Sequence, residues 1–143
     1  MITIIAGGKK HSGEYGWLIR DYSKRVRKPY DFEFKFFEGE KLDRYLEDWP
    51  FTGRDFVIVT DERGKVLTSP EFSETLEKAF SSSRDVKIII GGAYGVSEEV
   101  REKADLVWSF SRLVFPHMIA RLIVAEQIYR AQEIAKGSGY HHE

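Results

Sequence analysis

Three stretches of the chain bring residues together in patterns that carry chemistry. The first is Ile88-Ile89-Ile90-Gly91-Gly92-Ala93-Tyr94-Gly95, an apolar run that ends in glycines. Glycine lets a backbone approach a ligand closely and adopt positive φ. Open α/β sheets form their ligand crevices at the carboxyl ends of such strands. The same glycines also read as a plain tight turn. They are neither a G-x-G-x-x-G fingerprint nor a P-loop, since no Gly-Lys-Ser/Thr follows. The second stretch is Ser109-Phe110-Ser111-Arg112-Leu113-Val114-Phe115-Pro116-His117. Phe110, Leu113 and Phe115 suit the walls of an adenine-sized pocket, with main-chain groups of the loop bonding the base edge; they equally suit ordinary core. His117, near a helix start, reads first as a capping or packing histidine. The third stretch runs from Arg121 to Ala131. Its Glu126 and Arg130 are spaced for an exposed ion pair, or for a buried pair at an interface, because the surrounding helix is apolar. The tail Tyr140-His141-His142-Glu143 offers two adjacent histidines without further ligands. No cysteine is present, which excludes thiolate metal sites and disulfides. No Ser/His/Asp order suggests a nucleophile.

These stretches need elements to hold them. Ile2 to Ala6 reads as a buried strand running into Gly7-Gly8. Glu14 to Arg27 reads as a helix with an apolar face of Trp17, Leu18, Tyr22 and Val26, stopped by Pro29. Asp31 to Glu38 alternates Phe32, Phe34 and Phe36 at strand period. A short helix is expected from Lys41 to Trp49, then a strand from Asp55 to Thr60 and a turn at Asp61-Glu62-Arg63-Gly64. Ser69 is expected to cap a helix with Pro70 at its first position, running to about Phe80. Strands at Asp85–Ile90 and Asp105–Ser109 flank a helix capped by Ser97. The last helix begins at Pro116 and runs to about Lys136, stopped by Gly137. It is apolar on more than one side, which calls for a second partner, most simply a second subunit. Strands alternating with helices throughout give an α/β class with a mostly parallel sheet and helices on both faces. No linker or repeat divides residues 1–143, so one domain is expected.

Composition narrows the class of function. The chain has 143 residues, 42% apolar and 31% charged, which fits an ordered globular protein. The short N-terminal apolar run precedes its charges, unlike a secretory signal. No apolar run is long enough to span a membrane. Both point to the cytoplasm. Net charge is −1, yet residues 9–28 carry seven Lys/Arg against two Asp/Glu, leaving −6 on the remainder. A basic stretch on an acidic body suits either a solvated helix or a local phosphate-binding face.

Taken in order, these stretches resemble the RlmH (YbeA-like) family of SPOUT methyltransferases, and the resemblance covers essentially the whole chain. It rests on Lys9 to Arg27, on Ile90-Gly91-Gly92-x-x-Gly95, on Ser109-Phe110-Ser111 and Phe115-Pro116-His117, on Arg121 with Glu126-Gln127-x-Tyr129-Arg130-Ala131, and on Tyr140-His141. The resemblance implies a C-terminal trefoil knot, a homodimer, and S-adenosylmethionine held at Thr60, Gly91, Gly92 and the loop Phe110, Ser111, Arg112, Leu113, Val114 and Phe115. It implies as substrate the N3 of a pseudouridine in 23S rRNA, met on the assembled ribosome. Tyr140 would then stack on the target base, and His141 would assist or orient loss of the N3 proton, since imidazole ordinarily titrates near neutrality. Lys9, Lys10, Lys24, Arg25 and Arg27 would contact phosphates. Thr60 stands where the family usually has Leu, and His142 where it commonly has Lys or Arg. Other readings are a non-catalytic RNA- or ribosome-binding module on the same fold, a SPOUT enzyme with another RNA target, and a nucleotide-binding oxidoreductase. The missing dinucleotide fingerprint counts against the last.

Overall fold

The computed structural model describes residues 1–142. Its elements are β1 (Ile2–Gly7), α1 (Gly13–Arg25), β2 (Phe32–Phe37), α2 (Lys41–Glu47), β3 (Asp55–Val66), α3 (Ser69–Ser81), β4 (Asp85–Ile90), α4 (Glu98–Lys103), β5 (Leu106–Ser109) and α5 (His117–Lys136). The five strands form one sheet in the order β2-β1-β4-β3-β5, and every pairing is parallel. β1, β3 and β4 are sandwiched between two layers, so they read as continuous apolar runs rather than alternating ones.

Alternation along each strand assigns the two faces. Ile2, Ile4, Ile58, Ile88 and Ile90 pack with Phe72, Leu76, Val124 and Ile128, the layer of α1, α3 and α5. Ile5, Val57, Val59 and Ile89 pack with Leu42, Leu46, Val96 and Val100, the layer of α2 and α4. The expected α/β architecture, with a parallel sheet and helices on both faces, is therefore the one observed.

Local signals set most boundaries. Ser97 accepts a hydrogen bond from the Val100 amide and starts α4. Gly137 ends α5 in the left-handed region at φ 68°. At α3 the cap is Thr68, one residue earlier than expected. Its hydroxyl accepts from the Glu71 amide, and the Glu71 carboxylate accepts from the Thr68 amide. This reciprocal pair outcompetes Ser69, because the acid stands three residues beyond Thr68.

Two expectations about elements are corrected. The segment Asp61–Gly64 does not end its strand. β3 continues to Val66, and both Thr60 and Lys65 stand opposite Trp108 of β5, so the four residues between them form a bulge. The turn-like chemistry is real but local. Asp61 accepts from the Arg63 amide at 2.9 Å, bending the chain without reversing it. Gly64 is required there, since a Cβ would lie 2.4 Å from the Val107 carbonyl oxygen. On α1, Trp17 is not part of the buried face; it is 64% exposed, and Gly16 and Ile19 form the seam instead. Gly16 lets the helix sit close to His11, since an added Cβ would lie 3.3 Å from the His11 carbonyl oxygen.

Candidate active site: a glycine and aromatic cleft at the strand ends

A cleft of about 620 Å³ opens where β4 and β5 end and β3 bulges. β4 delivers Gly91 directly from its buried Ile88–Ile90 run. The chain then makes a tight turn, with the Gly95 amide donating to the Gly92 carbonyl at 3.0 Å. Gly95 sits at φ 73°, and a Cβ on Gly91 would fall 2.7 Å from the Gly95 carbonyl carbon. The two readings of this stretch are thus both satisfied: it is a tight turn, and the turn lines the cleft.

The opposite wall is aromatic. Trp108 stacks on Phe72 with ring centroids 4.1 Å apart, and Phe110 meets Trp108 edge-on at 4.8 Å. Phe115 lies beyond Phe110 at 6.3 Å. The loop between them is held by its own serines. The Ser109 hydroxyl donates to the Ser111 carbonyl at 2.7 Å, and the Leu113 amide donates to the Ser111 hydroxyl at 3.0 Å. Leu113 and Val114 are left exposed at the cleft mouth.

Thr60, Gly91, Gly92, Phe110, Ser111, Leu113, Val114 and Phe115 all line this cleft. Arg112 is not among its lining residues. Its guanidinium donates to the Glu62 carbonyl at 2.9 Å and ties the loop to the bulge of β3. Thr60 donates its hydroxyl to the Ile89 carbonyl, so it presents a satisfied polar group where an apolar side chain was usual.

The cleft also has walls that sequence reasoning passed over. Asp61 is buried and accepts from the Nε and Nη2 atoms of Arg63 at 2.8 and 2.9 Å. The Arg63 side-chain hydrogen bonds hold its carboxyl below the usual carboxylate range, against the opposing effect of burial. The D-x-R spacing was the available signal. His117, read as a capping or packing histidine, faces the cleft from the first turn of α5. Among the described residues no three of His, Cys, Asp or Glu converge as they would around a metal ion.

The tail residues lie elsewhere. Tyr140 donates its hydroxyl to Glu126 at 2.9 Å, with Arg130 over its ring at 4.7 Å and Tyr129 edge-on at 4.9 Å. Burial first, and the Glu126 bond second, push its phenol up to about 12. Arg130 pairs with Glu126 at 2.8 Å and lies 3.0 Å from Nδ1 of His141. Glu126 is about 13 Å along the helix from His117 at 1.5 Å per residue, and neither Tyr140 nor His141 lines the cleft. A guanidinium only donates, so Nδ1 of His141 accepts and the neutral ring carries its proton on Nε2.

The basic residues also divide. Lys9 and Lys10 are exposed on the loop after β1. Lys24, Arg25 and Arg27 lie at the far end of α1, about 20 Å away at helical rise. Arg25 pairs with Asp21 and stacks over Tyr129 at 5.7 Å, so this second group adjoins the tail. Arg27 turns its guanidinium back onto the Lys24 and Val26 carbonyls.

A glycine-lined cleft with an aromatic wall at the ends of parallel strands is the arrangement of a nucleotide-like ligand site. The family model for predicted SPOUT methyltransferases matches residues 1–141. The chain belongs to the SPOUT methyltransferase family. Its relatives include ribosomal RNA large subunit methyltransferase H of Cereibacter sphaeroides, 36% identical over 98% of this chain and 97% of that one. The enzyme of the same name from Desulfitobacterium hafniense is 53% identical over 73% of this chain, an alignment that spans 62% of the relative's length. Two solved structures share the fold. A probable methylase family protein of Haemophilus influenzae Rd KW20 superposes with a TM-score of 0.61 at 13% identity, covering 99% of this chain and 70% of that one. The SpoU methyltransferase AviRb of Streptomyces viridochromogenes, solved with AdoMet, superposes at 0.51 with 15% identity over 93% of this chain and 58% of its own. No helix among the described residues of this SPOUT chain is long and apolar enough to cross a membrane.

Proposed function

We propose that this chain is a single-domain SPOUT enzyme over residues 1–143 that methylates N3 of a pseudouridine in 23S rRNA, using S-adenosylmethionine, on the assembled ribosome in the cytoplasm. The observation that carries this reading is the cleft itself. Gly91 and the Phe110–Phe115 loop face one another across a space of about 620 Å³, and Trp108, Phe110 and Phe115 give it an aromatic side. That donor set fits an adenosyl group: main-chain groups for the base edge, rings for its faces, and a glycine where a side chain would intrude.

The donor supplies an electrophilic methyl group on a sulfonium, which departs as a neutral thioether and needs no acid. The chain's contribution is alignment of the two reactants, the largest lever available to such a displacement. Loss of the N3 proton leaves a negative charge shared between N3 and the flanking ring carbonyl oxygens of the base, and that charge is consumed as the N3–C bond forms. His141 suits that charge as a donor. Its Nδ1 is occupied by Arg130, so Nε2–H is the group it presents. We therefore read His141 as orienting the base and stabilising the oxygen, with the proton passing to water. Tyr140 is held by Glu126, Arg130 and Tyr129, and acts as a positioning residue for the tail rather than as a stacking platform.

The separation of tail and cleft within one chain supports a homodimer in which the tail of one copy serves the cleft of the other. The half-buried Met118, Ile119, Leu122 and Ile123 of α5 and the exposed Trp17 are the apolar surface such a partner would cover. We read the C-terminal half as the trefoil knot of the family. In support of it, β4 is inserted between β1 and β3, and Arg121 of α5 reaches back to the loop after β1.

The test is methyl transfer to purified ribosomes with labelled donor, followed by mass spectrometry of the rRNA. One methyl group on a pseudouridine of the large-subunit RNA is expected. Transfer to another RNA, or none with demonstrated donor binding, would overturn the assignment.

A further inference from the structure

A second cavity, of about 290 Å³, lies between α1 and the edge strand β2. It shares no lining residue with the donor cleft. Phe34 and Phe36 form one wall, their rings within 8° of parallel, and His11 meets them edge-on at 4.8 and 5.2 Å. Lys10, Arg20 and Glu33 are its charged lining residues. Gly16 forms the floor, where an added Cβ would crowd the His11 carbonyl at 3.3 Å. Nδ1 of His11 is buried without a hydrogen-bond partner among the described residues.

We propose that this cavity is a second nucleobase subsite, which takes an unpaired base neighbouring the methylated nucleotide. The proposal rests on the rRNA reading above and extends it to a second point of contact. Three features select the ligand class. Aromatic walls offer stacking, which every base accepts. Lys10 and Arg20, against the single carboxylate Glu33, supply net positive charge for the phosphates of an unpaired nucleotide. Burial, and then the positive charge of Arg121, lower the His11 imidazole to about 4, so at neutral pH it is an uncharged hydrogen-bonding ring suited to a base edge. The cavity is also rigidly linked to the donor cleft. Arg121 lies over Phe36 at 5.1 Å and donates to the Gly7 and Lys9 carbonyls. A Cβ at Gly8 would contact both Arg121 and His117, the latter a lining residue of the donor cleft. One RNA strand can therefore address both cavities across the Gly7–His11 loop.

Two measurements test this. In an NMR titration of the full-length protein with the dinucleotide ApA, shifts are expected at His11, Gly16 and Phe34, and their loss in the cavity-filling variant Ser23→Trp. No shift at these residues would overturn the subsite whether or not the protein methylates RNA. In steady-state methylation of ribosomes, His11→Ala and Ser23→Trp should raise KM for ribosomes about tenfold or more, with donor affinity and kcat within about twofold of wild type. Wild-type KM in both variants, each shown to bind the donor normally, would also overturn it. A wild-type protein that binds donor but leaves ribosomes unmethylated would instead refute the underlying function, while the ApA titration would still decide the cavity.

Discussion

Arg121 is fully buried, and its Nη2 donates to the carbonyl oxygen of Gly7, 114 positions away in sequence, at 2.9 Å. A second donor, Nη1, reaches the Lys9 carbonyl at 2.8 Å. Burial lowers its pKa, and carbonyl dipoles rather than a carboxylate receive its charge. Replacement by Met keeps most of the volume and orphans both carbonyls. Each lost partner costs about 1–3 kcal/mol, so Arg121→Met should lower the urea unfolding midpoint clearly. An unchanged midpoint would mean that the loop after β1 is held by something else.

Gly91 can be tested in isolation. A Cβ there would overlap the Gly95 backbone, and the neighbouring atom is main chain that cannot swing aside. Gly91→Val should therefore weaken S-adenosylmethionine binding by tenfold or more in calorimetry. Thermal unfolding of the ligand-free protein should fall far less than the complete loss of fold. Wild-type donor affinity in this variant would move the donor site away from the β4 turn.

The His141 tautomer distinguishes two roles. With Nδ1 accepting from Arg130, the ring acts through Nε2–H, and a glutamine amide can imitate that donor. His141→Gln should retain single-turnover methylation within about tenfold of wild type, while His141→Ala should lose about 10²-fold, the usual scale of a lost hydrogen-bond donor to a developing oxyanion. Equal losses in both variants, with a rate that rises through an imidazole titration, would restore the general-base role.

Much of this was legible in residues alone because the signals were local. Ile88–Ile90 running into Gly91-Gly92 marks a buried strand and its crevice, and Gly137 marks a helix end, without reference to the rest of the chain. What was not legible arises where tertiary contacts decide. Asp61–Gly64 has turn chemistry, but β5 re-pairs with Lys65 and Val66 beyond it. Trp17 fits a helical stripe, but the buried seam of α1 runs through Gly16 and Ile19 and leaves the indole outside. Arg112 sits within the donor-loop motif, yet the Glu62 carbonyl claims it. The five cations counted as one patch separate because a straight helix stands between them. Nothing in sequence spacing shows that Tyr140 and His141 fold onto Glu126 and Arg130 instead of the cleft.

His11 gives a prediction in pH. Its ordinary pKa of 6.5 falls to about 4 in the folded chain, chiefly through burial. Between those values the unfolded chain binds more protons than the folded one, so stability rises with pH. The contribution is complete above pH 6.5 and is lost as pH falls toward 4. Urea midpoints of wild type and His11→Gln should converge or cross within this window and run parallel above it. Parallel curves throughout would show that the imidazole titrates alike in both states.

The last prediction concerns which copy supplies the tail. Within one chain the tail is anchored at Glu126, about 9 Å of helix beyond Ala120, the last cleft-lining residue of α5, so in the dimer proposed above a working site takes its cleft from one copy and its tail from the other. Gly91→Val disables a cleft but leaves a tail; Tyr140→Ala with His141→Ala does the reverse. Each variant alone should be nearly inactive on ribosomes. Unfolding and refolding an equimolar mixture gives mixed dimers, in which one of the two composite sites has both parts intact. Random pairing makes half of the dimers mixed, so the mixture should recover about one quarter of wild-type activity, as two-fold symmetry requires. A tail that acts on its own cleft predicts none, because no protomer in the mixture carries both parts. The measurement is the initial methylation rate of the refolded mixture against that of the separately refolded variants combined just before assay, and no gain over the latter would place the tail in its own subunit's site.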